Sequence, residues 1–200
     1  MAVGAVVLLV VLLTRGSAPP PPTTQTSPTP TPVPTPTAQP LASLTSSASG
    51  SPVDGMQCAS SEPTTNRFTA HLAVFVGGSA RQIPAGVGIA SPSPPIDTNA
   101  GPFVASGKCY YPLLTHTSDG IVQISMPAQA AVTLGNFFDI WGQPLTTGQV
   151  GPATGTVVVY VNGSKYTGDP RALTIAKHAL IQLDVGMDTP PVQFTFPPGD

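Results

Sequence analysis

Charge is what this sequence has least of. Only 8% of its 200 residues are Asp, Glu, Lys or Arg, against about 25% in an average soluble protein. The seven basic residues run singly from Arg15 to Lys177, and the formal net charge is −2. No basic face is available to neutralise phosphates, so nucleic acid is excluded as a partner. Glu62 is the one glutamate and the remaining acidic residues are scattered aspartates, so a reaction built on paired carboxylates is not expected. A Gly-x-Ser-x-Gly elbow, a phosphate-cradling glycine loop and a zincin helix motif are all missing. The cluster Thr115 to Gly120 (THTSDG) has serine, histidine and aspartate side by side, but Ser118, Asp119 and Gly120 are turn residues leading into a strand. No catalytic residue is expected.

Proline and glycine are abundant instead, at 26 and 20. They mark two different materials. Residues 1–16 contain an uncharged apolar run, Ala2 to Leu13 (AVGAVVLLVVLL). It is shorter than the roughly 20 residues a spanning helix needs and fits the core of an export signal. No Lys or Arg precedes it, Arg15 follows it, and Pro19 comes just after the small residues Gly16-Ser17-Ala18. An uncleaved N-terminal membrane anchor is the other reading of the same residues. Residues 17–53 carry no charge before Asp54 and include PTPTPVPTPT from Pro28 to Thr37. Such a chain cannot bury enough apolar surface to offset its ordering entropy, and a disordered Pro/Thr/Ser-rich stalk is expected, suited to cell-wall association and to O-glycosylation.

Residues 54–200 read as the folded part, mainly β and of α+β class. His71 to Val76 (HLAVFV), Gly77-Gly78 and a short run to Ile83 predict a hairpin. Thr156 to Val161 (TVVVYV) with Asn162-Gly163 predicts a second; Asn162-Gly163-Ser164 also fits a glycosylation sequon, but the turn accounts for it alone. Gly120 to Met126 and Ala179 to Val185 predict buried strands, and Gln193 to Phe196 a final one. Leu134, Phe137, Phe138 and Trp141 fall at i, i+3, i+4 and i+7, with Thr133 as N-cap and Gly142 as terminator. That predicts one short helix whose aromatic stripe faces a core, with an aromatic ligand pocket as the competing reading. Hairpin, helix and further strands in this order predict a β-grasp-like arrangement.

Cys58 and Cys109 are the only cysteines, and in an exported chain such a pair joins. Their spacing is unlike that of a structural zinc site. The histidines are His71, His116 and His178. Brought together they could hold zinc or copper, although nothing in their spacing demands it, and no cofactor is expected.

Four segments, HLAVFVGGSARQIPAGVGI, CYYPLLTHTSDGIVQISMP, TLGNFFDIWGQPL and VYVNGSKYTGDPR, resemble an uncharacterised family of exported or membrane-tethered bacterial and archaeal proteins. The likeness covers Gln57 to Pro197, and Leu-Gly-x-Phe-Phe-Asp-Ile-Trp-Gly is its most specific part. The resemblance implies alternating histidines before the first strand, then Leu-His-Thr-His-Asp and Gly-Ile-Ile-His-Ile-Glu, a pattern that looks like a metal site. Here His71 and His116 match, but Arg67, Thr69, Leu114, Thr117, Gln123 and Ser125 stand where that pattern has histidine, aspartate or glutamate. The scaffold is kept and most of the implied ligands are gone. Cys58, Glu62 and Cys109 match, which supports the disulfide. The expectation is a non-catalytic extracytoplasmic domain, secreted or anchored, with a binding or structural role at the cell surface; the alternative is a metal-binding protein or metalloenzyme using the remaining histidines.

Overall fold

The computed structural model describes Met1 and residues 38–98, 101–126 and 130–199. The chain divides into two units, Met1–Thr35 and Pro36–Asp200, and every described residue except Met1 belongs to the second. The expected export signal or anchor at 1–16, and the expected stalk as far as residue 37, fall outside the described residues but for Met1. No helix of the described residues is long and apolar enough to cross a membrane.

Turn residues and alternating side chains build the strands. In chain order these are β1 (Gln39–Pro40), β2 (Arg67–Val76), β3 (Ser79–Gln82), β4 (Ile89–Ala90), β5 (Ile96–Thr98), β6 (Gly101–Phe103), β7 (Cys109–Tyr110), β8 (Leu113–Leu114) and β9 (Ile121–Ser125). After the helix α1 (Leu134–Trp141) come β10 (Leu145–Thr146), β11 (Gln149–Val150), β12 (Ala153–Thr154), β13 (Val157–Val161), β14 (Ser164–Tyr166) and β15 (Leu180–Val185). The main sheet runs β3-β2-β15-β13-β14, with β1 added beyond β3. β2 and β15 are parallel at its centre, and an antiparallel hairpin flanks each side. This hairpin, helix, hairpin order with a parallel central pair meets the β-grasp-like expectation in a mainly β, α+β fold. β2 is long enough for its first half to pair with β9 while its second half pairs with β3 on the same edge.

Period-two alternation gives this sheet two faces of opposite character. Phe68, Ala70, Leu72, Val74 and Val76 of β2 point into the core with Ile181, Leu183 and Val185 of β15 and Val159 of β13. Against this face lies α1, whose Leu134, Phe137, Phe138, Ile140 and Trp141 are all buried. Its ends follow the sequence signals. Thr133 and Asn136 form a reciprocal capping box, and Gly142 closes the helix in the left-handed conformation at φ 67°. A Cβ at Gly142 would come within 2.0 Å of the Ser46 carbonyl oxygen, so close approach as well as φ requires glycine there.

Ser46 itself lies in a segment expected to be stalk. That expectation, which reached residue 53, is corrected for its described part: residues 38–53 are folded onto the domain. β1 pairs in parallel with β3, Leu41 is buried in the core, the Trp141 indole donates to the Ser43 carbonyl at 3.0 Å, and Ala48 N–H donates to the Ile140 carbonyl at 2.8 Å. The end of α1 leaves carbonyls in need of donors, and this segment supplies them. Its composition is that of a linker; its backbone serves as a cap.

A second correction concerns Gln193–Phe196, which joins no sheet. The expected disulfide is present: Cys58 and Cys109 are bonded, with Cα atoms 5.4 Å apart. Beside it, Ala59 and Tyr110 exchange two backbone hydrogen bonds at 2.8 Å, tying the approach to β2 onto β7.

Candidate functional site

The other face of the sheet is polar and also buried. Thr69 and His71 of β2, Gln123 and Ser125 of β9, and Gln182 and Asp184 of β15 are all largely withdrawn from solvent. Register places them together, since Thr69 lies opposite Gln123, Arg67 opposite Ser125, and Gln182 opposite Ala73. Burying such groups is costly unless each finds a partner. Two sets of contacts meet that need for His71, Gln123, Gln182 and Asp184.

The first centres on Glu62. Its carboxylate accepts from the Gln123 amide and faces His116 Nε2 at 3.1 Å. Arg67 donates to Gln123 Oε1 and lies 3.7 Å from Glu62 Oε1. His116 Nδ1 faces the Val104 carbonyl at 2.6 Å, and Phe103 stacks on the ring with centroids 5.2 Å apart. Both imidazole nitrogens therefore face oxygen atoms. Of the six positions where the resemblance implies ligands that this chain has replaced, 67, 69, 123 and 125 converge on one face, while Leu114 packs with Ile89 and Val104 and Thr117 donates to Asp119 in the turn. What the converging four bring is a guanidinium, two hydroxyls and an amide, a set poor in metal ligands. The Thr69 and Ser125 hydroxyls are buried with no hydrogen-bond partner among the described residues.

The second set centres on His71. Its Nε2 meets the Asp119 carbonyl at 3.1 Å, and Phe194 stacks on the ring at 3.8 Å and 14°. Asp119 itself is the turn residue expected, accepting from Thr117 Oγ1 at 2.7 Å and Ile121 N–H at 3.0 Å. Gln182 and Asp184 bind the segment after β15: Thr189 N–H donates to Asp184 at 2.9 Å and Val192 N–H to Gln182 Oε1 at 2.9 Å, while Gln182 Nε2 donates to the Thr189 carbonyl at 3.2 Å. His178 stacks on Phe196 with centroids 4.7 Å apart. The sequence carried one trace of this set, the polar residues Gln182 and Asp184 two apart within an otherwise apolar strand.

His116 thus has its own setting, while His71 and His178 share one aromatic cluster through Phe194 and Phe196, and among the described residues no group of three or more His, Cys, Asp or Glu side chains is placed to hold a metal ion. The aromatic stripe of α1 faces the core, with Leu134, Phe137, Phe138 and Trp141 all buried.

Burial holds the His71 pKa below its ordinary 6.5, against the opposing pull of the Asp119 carbonyl and carboxylate. The folded state therefore resists a proton that the unfolded chain accepts. His71 contributes stability in full above pH 6.5, and that contribution falls as pH drops below 6.5 toward the lower folded-state value. Thermal unfolding between pH 8 and pH 5, about the range in which an imidazole changes charge, should show a steeper loss in the wild type than in His71→Gln. Parallel curves would remove His71 as the source.

No family model, curated protein or solved structure matches this chain.

Proposed function

We propose that this chain is an extracytoplasmic, non-catalytic domain, held on a Pro/Thr/Ser-rich stalk behind an export signal or membrane anchor, and that it acts by binding or as a structural element at the cell surface. The observation that carries the reading is the bonded pair Cys58 and Cys109, because stable structural disulfides belong to oxidising compartments. The uncharged Pro/Thr-rich sequence ahead of the folded body and the resemblance to an exported or tethered family support it further. The polar face supports binding over catalysis: its carboxylate, imidazoles and amides are engaged with one another or with backbone, and its one strongly buried carboxylate, Asp184, is held by Gln182 and Thr189.

The test is to produce the full chain in a bacterial host, fractionate the cells, and alkylate the protein with and without reduction before weighing it. The expected result is protein outside the cytoplasm whose two cysteines resist alkylation until reduced. A folded protein retained in the cytoplasm with both thiols free would overturn the reading.

A further inference from the structure

We infer that the polar face of the sheet is a peptide-binding groove which the chain's own residues 189–196 occupy in cis, and that its partner in trans is the same segment of a second copy of this chain. This gives the binding role proposed above a partner and rests on that reading.

The contacts are those of peptide recognition. Thr189, Val192, Phe194 and Phe196 meet Asp184, Gln182, His71 and His178 in turn, so the segment is laid back along β15. Gln182 uses both ends of its amide on the strap's backbone, accepting from Val192 N–H and donating to the Thr189 carbonyl. Such contacts read chain direction rather than side-chain identity. Identity is read by the two imidazoles, each stacked on a phenylalanine, with the two phenylalanines edge to face at 5.2 Å. The fit is close: the void left between strap and sheet, beside Tyr160 and Pro191, is about 10 Å³.

The hold is nevertheless the kind that can be exchanged. The strap joins no ladder, Val192 is 40% exposed, and Gln193 and Thr195 are exposed as well. Its root is fixed separately, because Asp188 accepts from Tyr160 at 2.7 Å and pairs with Lys165 at 3.0 Å. Beyond that root, Thr189 to Phe196 can span about 25 Å as Pro-rich extended chain. The groove on a second copy offers the strap the same donors, acceptors and rings that hold it in cis. Reciprocal exchange would close a two-fold dimer in which every contact of the strap recurs between copies.

The experiment uses purified protein, so it succeeds or fails independently of export. The probe is a fluorescent peptide of residues 187–199, added to the full chain and to a form stopped after Asp188. The stopped form should bind the peptide, and the peptide with both phenylalanines changed to serine should not bind. Gln182→Ala in the stopped form should weaken binding by about tenfold, the loss of two backbone contacts. The full chain should show a concentration-dependent dimer by light scattering that the stopped form lacks. If the stopped form does not fold, the full-length Phe194→Ala, Phe196→Ala protein takes its place and should bind the peptide better than the wild type does. A folded stopped form, or a folded double variant, that ignores the peptide would overturn the groove; peptide binding with a full chain that stays monomeric at every concentration would overturn the second copy as partner.

Discussion

Replacing Trp141 with alanine is expected to destabilise the domain by about 3–5 kcal/mol, the usual cost of deleting a fully buried large aromatic side chain. The indole is 0% exposed and packs against both Phe137 and Phe138, with centroids 6.2 Å and 5.8 Å away. Its N–H also satisfies the Ser43 carbonyl, so the change both opens a cavity and strands an acceptor. That is a large share of the roughly 5–15 kcal/mol of a typical domain. Because Trp141 is the only tryptophan, its own fluorescence cannot report on the variant. Denaturant unfolding followed by far-ultraviolet circular dichroism is the measurement, with the exposed Lys177→Ala as control. An unchanged midpoint for Trp141→Ala would reject the core role of the helix.

Removing the disulfide is expected to cost about 4 kcal/mol in the chain-entropy model. The bond closes a loop of sequence separation 51 that contains β2, β3 and the approach to β7, so reduction frees much of the first half of the domain to expand when unfolded. Thermal unfolding of the wild type with and without reductant, beside the Cys58→Ser, Cys109→Ser protein, should give two coincident low midpoints and one high one. If all three coincide, the bond does not stabilise the domain.

Local chemistry was legible where one short stretch of residues dictates it. Thr133 and Gly142 bracket α1 because capping needs an oxygen at one end and positive φ at the other. Gly77-Gly78 and Asn162-Gly163 turn their hairpins for the same local reason, and Asn162 does adopt φ 50°. What escaped depends on partners far away in sequence. Residues 38–53 look like linker because backbone groups, which composition does not display, make their contacts. Gln193–Phe196 has the alternation of a strand, but its phenylalanines are claimed by His71 and His178. The polar face was half visible: the resemblance marks positions 67, 69, 71, 114, 116, 117, 123 and 125, and of these register brings 67, 69, 123 and 125 side by side. Their connection through Glu62 could not be read from spacing.

The central parallel pair has a consequence for the order in which the molecule is made. It joins His71–Val76 to Leu180–Val185, the early and late parts of the folded body, so its loop-closure cost is met only once β15 has been made. A nascent chain that has not yet emitted Leu180 holds both hairpins but not the strand that connects them, and its exposed β2 edge is open to wrong pairing. This domain therefore commits to its structure late, only after β15, the last of the described strands in chain order, has been made.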